Sequence, residues 1–275
     1  MKIIGIGDLH GRPYWKQIWE KHSDADKIVF VGDYFDSLDG YTELPVYSAA
    51  EQIYNFREIC ALKREFPDKI VLLLGNHDVH YFPGLKGQTS GFQIEHAAFI
   101  QMALEENKDI LKMAWLGNNK FLFSHAGVSG AWLDDIYGKG GWDVNNIVDA
   151  VNDAWTWKPK AFMFNEYCTN KYGNDPEQSP VWIRVGALMR GAKEFKKRYV
   201  QVFGHTCHDY IDLKGKSTGC RYYCIDTLPT SGEYLVINND TITTEKINNE
   251  DLRTFRKLHG KRNKPSRKAK SRGPG

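Results

Sequence analysis

Short apolar runs recur along the chain, and each one is followed directly by glycine and polar residues. Runs this continuous are typical of strands that are buried on both faces, as in a sheet covered by helices. The predicted strands of this kind are Lys2–Ile6, Ile28–Val31, Ile70–Leu74, Phe121–Phe123 and Tyr199–Phe203. Two later segments, Arg221–Ile225 and Tyr234–Ile237, read as a β meander.

Helical patterns lie between these strands. They cover Tyr14–His22, Ser48–Phe66, Phe92–Glu106 and Val181–Lys197. Within the second of them, Phe56, Ile59 and Cys60 follow the spacing of one helical face. The alternation of strands and helices predicts an α/β domain built in layers.

Two stretches interrupt this alternation. Residues 36–47 read as a loop, and residues 138–180 read as an insertion with a helix over Asn145–Trp155. Long loops beside strand ends often carry substrate contacts. We expect the aromatic residues of the insertion to form its core, with a stacking platform for a base as the alternative. These residues are Trp142, Trp155, Trp157, Phe162, Phe164, Tyr167 and Tyr172.

The composition is that of a globular protein, and its charge is unevenly distributed. The 275 residues are 41% apolar and carry a formal net charge of +3. Residues 252–275 contain ten Lys or Arg and no acidic residue, so residues 1–251 have a net charge of −7. We therefore expect a main domain over 1–251 and a flexible basic tail over 252–275. The tail is either a solubilising end or a contact for nucleic acid or another polyanion.

The sequence predicts a cytoplasmic protein without a membrane segment. No apolar run approaches the roughly 18 residues that a membrane span needs, and the chain does not open with a secretory signal. The cysteines are odd in number and irregularly spaced, which fits reduced thiols better than a disulfide framework. They are Cys60, Cys168, Cys207, Cys220 and Cys224.

Side chains that can bind metal follow the five predicted strands. In open α/β sheets, ligands bind at the edge formed by the carboxyl ends of the strands. A mixture of carboxylate, amide and imidazole donors favours Mn, Fe, Zn or Ni over Ca or Mg. The candidates are numerous enough to hold two ions that share one carboxylate. They are Asp8, His10, Asp33, Asn76, His77, His125 and His205.

The motifs around these residues resemble those of the calcineurin-like metallophosphoesterases. Gly-Asp-Leu-His-Gly, Gly-Asp-Tyr-Phe-Asp, Gly-Asn-His-Asp, His-Ala-Gly and Gly-His-Thr occur in the family's order. The chain is most similar to the phosphoprotein-phosphatase branch, which includes bacterial and phage members and symmetrical dinucleoside tetraphosphatases. Trp182-Ile183-Arg184 and Ile225-Asp226-Thr227 extend the resemblance to about residue 237. It implies a β-sandwich flanked by helices, with the active site at the carboxyl ends of the strands.

The resemblance also implies a role for each candidate residue. Asp8, His10 and Asp33 would hold one divalent cation, and Asp33 would bridge to a second cation held by Asn76, His125 and His205. Manganese is expected, with iron, zinc or nickel as alternatives, and a hydroxide bridging the two ions would attack the phosphorus. His77 would be the general acid, oriented by Asp36, and Arg184 would bind the phosphate.

Two departures from the family pattern bear on the substrate and on the metal site. The branch has Asp-Arg-Gly where this chain has Asp36-Ser37-Leu38, so a phosphate-binding arginine is missing, and Arg12 or the insertion would replace it. Many relatives outside this branch have a second histidine at the position of Cys207, which makes a thiolate ligand an alternative. A separate zinc site formed by Cys207, His208, Cys220 and Cys224 is a further alternative.

The sequence therefore predicts an enzyme that hydrolyses phosphomonoesters by direct attack of water, similar to Ser/Thr protein phosphatases. A phosphoprotein or a nucleotide would be the substrate. One alternative keeps the same site but uses it on dinucleoside polyphosphates, on nucleic-acid ends or on phosphodiesters. Another alternative is a catalytically silent binding protein that retains the fold.

Overall fold

The computed structural model describes residues 1–37, 46–85, 90–167, 172–195, 198–213 and 221–248. The strands in these ranges are β1 (Lys2–Ile6), β2 (Lys27–Phe30), β3 (Ile70–Leu73), β4 (Leu111–Lys112), β5 (Ala114–Gly117), β6 (Phe121–Ser124), β7 (Val200–Phe203), β8 (Tyr222–Cys224), β9 (Glu233–Asn238) and β10 (Thr241–Lys246). The α-helices are α1 (Trp15–His22), α2 (Ala49–Glu65), α3 (Asn76–Val79), α4 (Ala97–Glu105), α5 (Gly130–Tyr137), α6 (Ile147–Trp157) and α7 (Val185–Gly191).

The strands form two sheets. The first has the order β10-β9-β1-β2-β3-β4, and the second has the order β5-β6-β7-β8. Strands β1, β2, β3 and β4 run parallel, as do β6, β7 and β8. The carboxyl ends of the parallel strands within each sheet therefore lie at one edge of that sheet.

The parallel strands are largely apolar because they pack into two cores. Alternate side chains of a strand point to opposite faces of the sheet. Ile3 and Val29 pack in the core between the two sheets, together with Phe123 and Val202 of the second sheet. Their neighbours along the strands pack instead in a larger core that contains the helices, where Phe30 contacts Trp15 with the ring centroids 6.2 Å apart. The structure is thus a β-sandwich flanked by helices, which confirms the predicted fold class.

Local sequence explains where the longest helix begins. Ser48 is the N-cap of α2, and its hydroxyl accepts a hydrogen bond from the Glu51 main-chain N–H at 3.3 Å. The Glu51 carboxylate in turn accepts a hydrogen bond from the main-chain N–H of Ser48 at 2.7 Å. This reciprocal pair satisfies two donors that would otherwise lack partners at the start of the helix.

Two predictions about elements were wrong. The segments Arg221–Ile225 and Tyr234–Ile237 do not form a meander, because β8 pairs with β7 in the second sheet whereas β9 pairs with β1 in the first. Within the described residues, the helix expected over Val181–Lys197 covers only Val185–Gly191, because a turn precedes it and Lys193–Phe195 form a separate 3-10 helix. The helix of the insertion begins slightly later than expected, at Ile147, after a short 3-10 helix.

Several predictions lie wholly or partly outside the described residues. These include the basic tail, Cys168, Cys220 and most of the 36–47 loop. Within the described ranges, none of the helices combines the length and the apolar character needed to cross a membrane.

Candidate metal centre and active site

The seven candidate side chains come together where the parallel strands of both sheets end. Asp8 follows β1, and its carboxylate accepts a hydrogen bond from the main-chain N–H of His205, after β7, at 2.9 Å. Asp33 follows β2, and its carboxylate accepts the main-chain N–H of His77, after β3, at 2.9 Å. Asp8, Asp33, Asn76, His77 and His125 are all buried. The two sheets therefore contribute to one polar cluster.

Several residues of these turns have a left-handed backbone conformation, which residues other than glycine rarely adopt. The φ angle is 46° at His10, 54° at Asp33, 61° at Asp36 and 63° at His205. Left-handed conformations at non-glycine residues cost free energy and tend to occur at functional sites. The turns after β1, β2 and β7 thus hold their side chains toward the cluster at some cost in stability.

Asp78 ties two of these turns together. Its buried carboxylate accepts hydrogen bonds from the main-chain N–H groups of Asp33, Tyr34 and Gly75, each at 2.8 Å. Asp33 belongs to the cluster, and Gly75 directly precedes the cluster residue Asn76. The two residues follow the neighbouring strands β2 and β3. Asp78 therefore fixes the positions of the two turns and is directed at the main chain rather than at the centre of the cluster.

Three histidines have the same hydrogen-bonding pattern. In each, one ring nitrogen lies within hydrogen-bonding distance of a main-chain carbonyl oxygen, to which it donates. The other nitrogen then carries a lone pair that faces the cluster. The pairs are His10 Nδ1 with Phe35 O (3.0 Å), His125 Nδ1 with Val31 O (2.9 Å) and His205 Nε2 with Trp182 O (3.2 Å). This pattern is typical of histidines that bind metal, because the carbonyl fixes the tautomer and the ring orientation.

The inward-facing atoms fit a cation. Asn76 Oδ1 lies 2.9 Å from His125 Nε2 and 2.9 Å from His205 Nδ1, so an amide oxygen and two lone pairs meet at one place. Asp8 Oδ1 is buried and has no hydrogen-bond partner. His10 Nε2 and His125 Nε2 lie 3.7 and 3.5 Å from Asp33 Oδ2. Acceptors that face one another without donors are compensated by a metal ion.

The protonation of the three histidines suits metal binding. Burial lowers the pKa of His10 to about 4, against the attraction of the Asp33 carboxylate. Burial also lowers the pKa of His125, and burial together with the Arg184 charge lowers that of His205. All three rings are therefore neutral near pH 7, which is the form that ligates metals.

A group of buried carboxylates surrounds the same point. Burial and the charges of Asp226 and Asp33 raise the pKa of Asp8 well above its usual value. Burial and Asp33 raise the pKa of Asp226 to about 7, against the opposing effect of Arg184 and Arg12. Such repulsion between carboxylates is what bound cations relieve.

Asp226 had not been assigned a role from the sequence, where it was only part of a supporting motif. It follows β8, which runs parallel to β7, so it ends at the same edge as His205. The sequence signal that could have identified it is a further apolar run followed by an aspartate. Assigning it required knowing that β8 belongs to the second sheet.

His77 differs from the other three histidines. Its Nδ1 donates to the Asp36 carboxylate at 2.9 Å rather than to a main-chain carbonyl. Although burial acts against it, the charges of Asp33 and Asp36 and the bond to Asp36 raise the pKa of His77. Burial acts to raise the pKa of Asp36, but hydrogen bonds from His77 and His80 outweigh this effect and lower the pKa. A protonated His77 beside an ionised Asp36 is suited to donating a proton.

Both candidate phosphate-binding arginines lie close to this centre. Arg184 directly precedes α7, and its Nη1 donates to the main-chain oxygen of His205 at 3.0 Å. Arg12 follows the first motif, is 4% exposed and has a buried Nε without a hydrogen-bond partner. Both guanidinium groups act electrostatically on Asp226. Two positive charges thus lie near the carboxylates of the cluster.

The surroundings of the described cysteines disfavour them as metal ligands. Partial burial and the charges of Asp226 and Asp8 raise the pKa of Cys207 to about 12, which disfavours a thiolate. Cys224 lies in β8, and its thiol donates to the main-chain oxygen of Thr206 at 3.1 Å. Cys220, the remaining cysteine of the zinc hypothesis, lies outside the described residues.

A cavity of about 1,080 Å³ opens beside the cluster, lined mainly by the insertion. Trp182 connects the two, because it lines the cavity while its main-chain oxygen accepts the hydrogen bond from His205. Phe164 packs against the Trp182 ring with centroids 5.3 Å apart. The insertion's aromatic residues are divided, since Phe162 is buried in the core whereas Tyr167 is 99% exposed.

The comparisons with known proteins agree with this geometry. A family model described as calcineurin-like phosphoesterase matches residues 1–209. No curated protein sequence matches the chain. A crystal structure of the cold-active protein-tyrosine phosphatase of a psychrophilic Shewanella species has a TM-score of 0.57 and 15% identity, covering 90% of this chain and 80% of that chain.

A second similar structure comes from yeast. The protein serine/threonine phosphatase from Saccharomyces cerevisiae has a TM-score of 0.50 and 15% identity, and the match covers 90% of this chain and 80% of that chain. At these levels of identity, the two likenesses show a shared fold. The matched family model, by contrast, includes the first four motifs and Gly-His-Thr in a single alignment.

Proposed function

Because this chain belongs to the calcineurin-like phosphoesterase family, whose members are metal-dependent phosphoester hydrolases, we propose that the buried Asp and His cluster hydrolyses phosphomonoesters with two divalent cations. Asp8, His10 and Asp33 would hold one ion, and Asp33 would share the second ion with Asn76, His125 and His205. The observation that carries the proposal is the convergence of acceptor atoms in one cluster, above all the buried Asp8 Oδ1, which has no hydrogen-bond partner.

The metal ions, when bound, would neutralise the ester oxygens and lower the pKa of a water molecule between them. Nitrogen and oxygen donors together fit manganese, with iron, zinc or nickel as alternatives. Neutral imidazoles and ionised carboxylates are the forms that ligate such ions, and the lowered pKa values of His10, His125 and His205 provide the former.

The chain's own residues bind the phosphate and protonate the leaving group. Arg184, whose Nε and Nη1 donate to the main-chain oxygens of Tyr172 and His205, would attract the phosphate through its guanidinium charge. Arg12 would supply the second positive charge that the missing Asp-Arg-Gly motif would have provided. His77, held by Asp36, donates a proton to the departing alkoxide, which is a poor leaving group without it. Water then replaces the leaving group at phosphorus directly.

The cavity beside the cluster favours a protein substrate over a polyanion. A single phosphate needs far less than the cavity's volume, so the rest of the substrate can lie along it. Its lining carries Lys158 and Lys160 but also Asp135, Glu166 and Glu177, which would repel a nucleic acid or a polyphosphate. Both similar structures are named as phosphatases of proteins. A phosphorylated polypeptide segment is therefore the substrate class we propose.

The metal requirement and the acid role can be tested together. Chelated protein should hydrolyse no phosphoserine peptide, and added manganese should restore turnover. His77→Ala should lower kcat by about 10²–10⁴-fold while the metal content, measured by elemental analysis, stays that of the wild type. Turnover that is indifferent to exhaustive chelation would contradict the metal centre. Full turnover of His77→Ala on the peptide would contradict the acid role alone.

The same assay separates the alternatives for the substrate. Phosphopeptides should be hydrolysed faster than dinucleoside polyphosphates or RNA and DNA ends at equal concentration. Glu177→Lys, which replaces a carboxylate of the cavity, should raise activity on polyanions relative to peptides. Two bound ions with no turnover on any ester would favour a silent binding protein.

A further inference from the structure

Asp36 is held by more groups than its role beside His77 requires. Its Oδ2 lies 2.9 Å from His77 Nδ1 and 3.0 Å from His80 Nε2. Its Oδ1 accepts the Tyr81 hydroxyl at 2.5 Å and the Gln93 side-chain amide at 3.1 Å. A carboxylate has about four lone-pair positions, and in Asp36 four donors use them.

The donors are themselves fixed by ring packing. The His80 ring meets Tyr81 edge-on with centroids 4.4 Å apart, and Phe92 stands edge-on to His80 at 4.8 Å and stacks on Tyr81 at 4.8 Å. The main-chain N–H of Gln93 donates to the Tyr81 hydroxyl at 2.9 Å. These rings leave His80 and Tyr81 little freedom to move away from Asp36.

The arrangement is anchored to the helical layer. The Gln93 amide donates to Gln52 Oε1 of α2 at 3.0 Å, and Gln52 in turn donates to the Tyr47 main-chain oxygen at 2.6 Å. Asp36 is fully buried, so water does not compete for these bonds. The carboxylate therefore cannot rotate without breaking several buried hydrogen bonds.

We propose that His80, together with Tyr81 and Gln93, is a positioning residue that fixes Asp36 and thereby aims the His77 ring at the leaving oxygen. This inference rests on the proposed acid role of His77. His77 itself has one ring nitrogen bound to Asp36, so the orientation of the carboxylate determines the direction of the other nitrogen. A misplacement of about 1 Å in such a group can cost roughly a hundredfold in rate.

Leaving-group dependence distinguishes positioning from simple structural support. A phosphoserine peptide releases an alkoxide that needs a proton, whereas 4-nitrophenyl phosphate releases a stable phenolate that needs far less help. His80→Ala should lower kcat on the peptide by about ten- to a hundredfold and on the nitrophenyl ester by much less, with unchanged KM and metal content. His80→Gln, which keeps a donor near the position of Nε2, should restore most of the peptide activity.

Two further variants protect the test against misfolding. Tyr81→Phe removes only the hydroxyl and should show a smaller loss with the same selectivity for the peptide. In a His77→Ala background, His80→Ala should cause no further loss of activity, because the acid that His80 is proposed to position is absent. The exposed His96→Ala serves as the matched control and should behave as the wild type on both esters.

The outcomes separate this inference from the proposed function. Equal losses on both esters, losses that add to those of His77→Ala, or no loss at all would overturn the positioning role while metal-dependent hydrolysis by the wild type stands. Absence of metal-dependent hydrolysis in the wild type would overturn the proposed function first.

Discussion

Hydrogen-bond partners give the four histidines of the centre two different kinds of chemistry. His10, His125 and His205 each donate to a main-chain carbonyl, which turns the lone pair of the other ring nitrogen inward, and burial keeps the rings neutral. His77 donates to a carboxylate, which raises its pKa and favours the protonated ring. At the scale of single residues, a main-chain partner orients the rings of the proposed metal ligands, whereas a carboxylate partner favours the protonated ring of the proposed acid.

Arg184 allows the phosphate-binding proposal to be tested at one side chain. Arg184→Lys keeps the charge but loses the planar guanidinium, which main-chain oxygens hold in a fixed orientation. We expect KM for a phosphopeptide to rise about 10- to 100-fold, in line with roughly 1.5–3 kcal/mol for a charge-assisted hydrogen bond, with kcat changing less. Steady-state kinetics on metal-loaded protein would measure both.

The matched control is Arg190→Lys, on α7, which Arg184 directly precedes. Arg190 donates to the main-chain oxygens of Gly186 and Asn174 and does not bond to the loop of His205. It should leave KM unchanged. A wild-type KM in Arg184→Lys, with metal content intact, would show that phosphate is bound elsewhere.

At the scale of residues, the sequence predicts the position of a side chain when that position depends on a single strand. Asp8, Asp33 and Asn76 each follow an apolar run, so their place at the edge of a sheet could be predicted. His80 could not be predicted in the same way. Its contact with Asp36 depends on how the short helix α3 faces the turn after β2, which no spacing in the sequence reveals.

At the scale of elements, glycines allow the turns to approach the carboxylates closely. A methyl group on Gly204 would overlap Asp8 Oδ1, and one on Gly75 would overlap Asp33 Oδ1. Gly204 directly follows β7 and Gly75 lies one residue beyond Leu74 after β3. The ends of these strands therefore need a residue without a side chain if the carboxylates are to keep their places.

Gly204→Ala should therefore impair metal loading although it replaces no ligand. The added methyl group must displace the Asp8 carboxylate, which is buried against it. We expect metal affinity to fall by at least the 10–100-fold typical of changes that disturb ligand orientation, and activity to fall with it. Metal titration monitored by elemental analysis and by turnover would measure the effect.

Gly140→Ala controls for general destabilisation. Gly140 has a φ of 78° but nothing lies near its added Cβ, so alanine there strains only the backbone. It should lower the free energy of unfolding by about 1 kcal/mol or somewhat more without changing metal content. Normal metal loading in Gly204→Ala would contradict the proposed packing of Asp8.

Elements were predicted well where a local apolar run marks them, and poorly where tertiary pairing decides. The five strands that precede the motifs were placed within about a residue or two. The partners of β8 and β9 were not, because both segments are apolar and nothing local distinguishes the two sheets. The predicted helix at α7 was too long because the Val181–Ile183 turn is apolar and has a helix-like pattern.

At the scale of the whole molecule, the candidate ligands depend on the assembly of the sandwich. Asp8, Asp33 and Asn76 come from the first sheet, whereas His125 and His205 come from the second. The ligand set therefore exists only when the two sheets are packed together. Metal binding should stabilise the packed state, since a site absent from the unfolded chain adds its binding free energy to folding.

Asp226 shows how that coupling should depend on pH in the metal-free protein. Its pKa is about 7 in the folded state, against 3.8 for an ordinary aspartate. Above pH 7 the folded protein must keep a buried charge, whereas below pH 4 the carboxyl is protonated in both states. Asp226→Asn should thus stabilise chelated protein by on the order of a few kcal/mol above pH 7, a gain that shrinks as pH falls toward 4.

Thermal unfolding at several pH values would measure this gain. The difference in Tm between Asp226→Asn and wild type should grow from pH 4 to pH 7 and level off above it, and it should shrink when manganese is added because the cation offsets the repulsion. Asp209→Asn, an exposed substitution in the neighbouring loop, should show no such trend. If the Tm difference changed with neither pH nor manganese, the carboxylates after β1, β2 and β8 would not form one buried charge cluster.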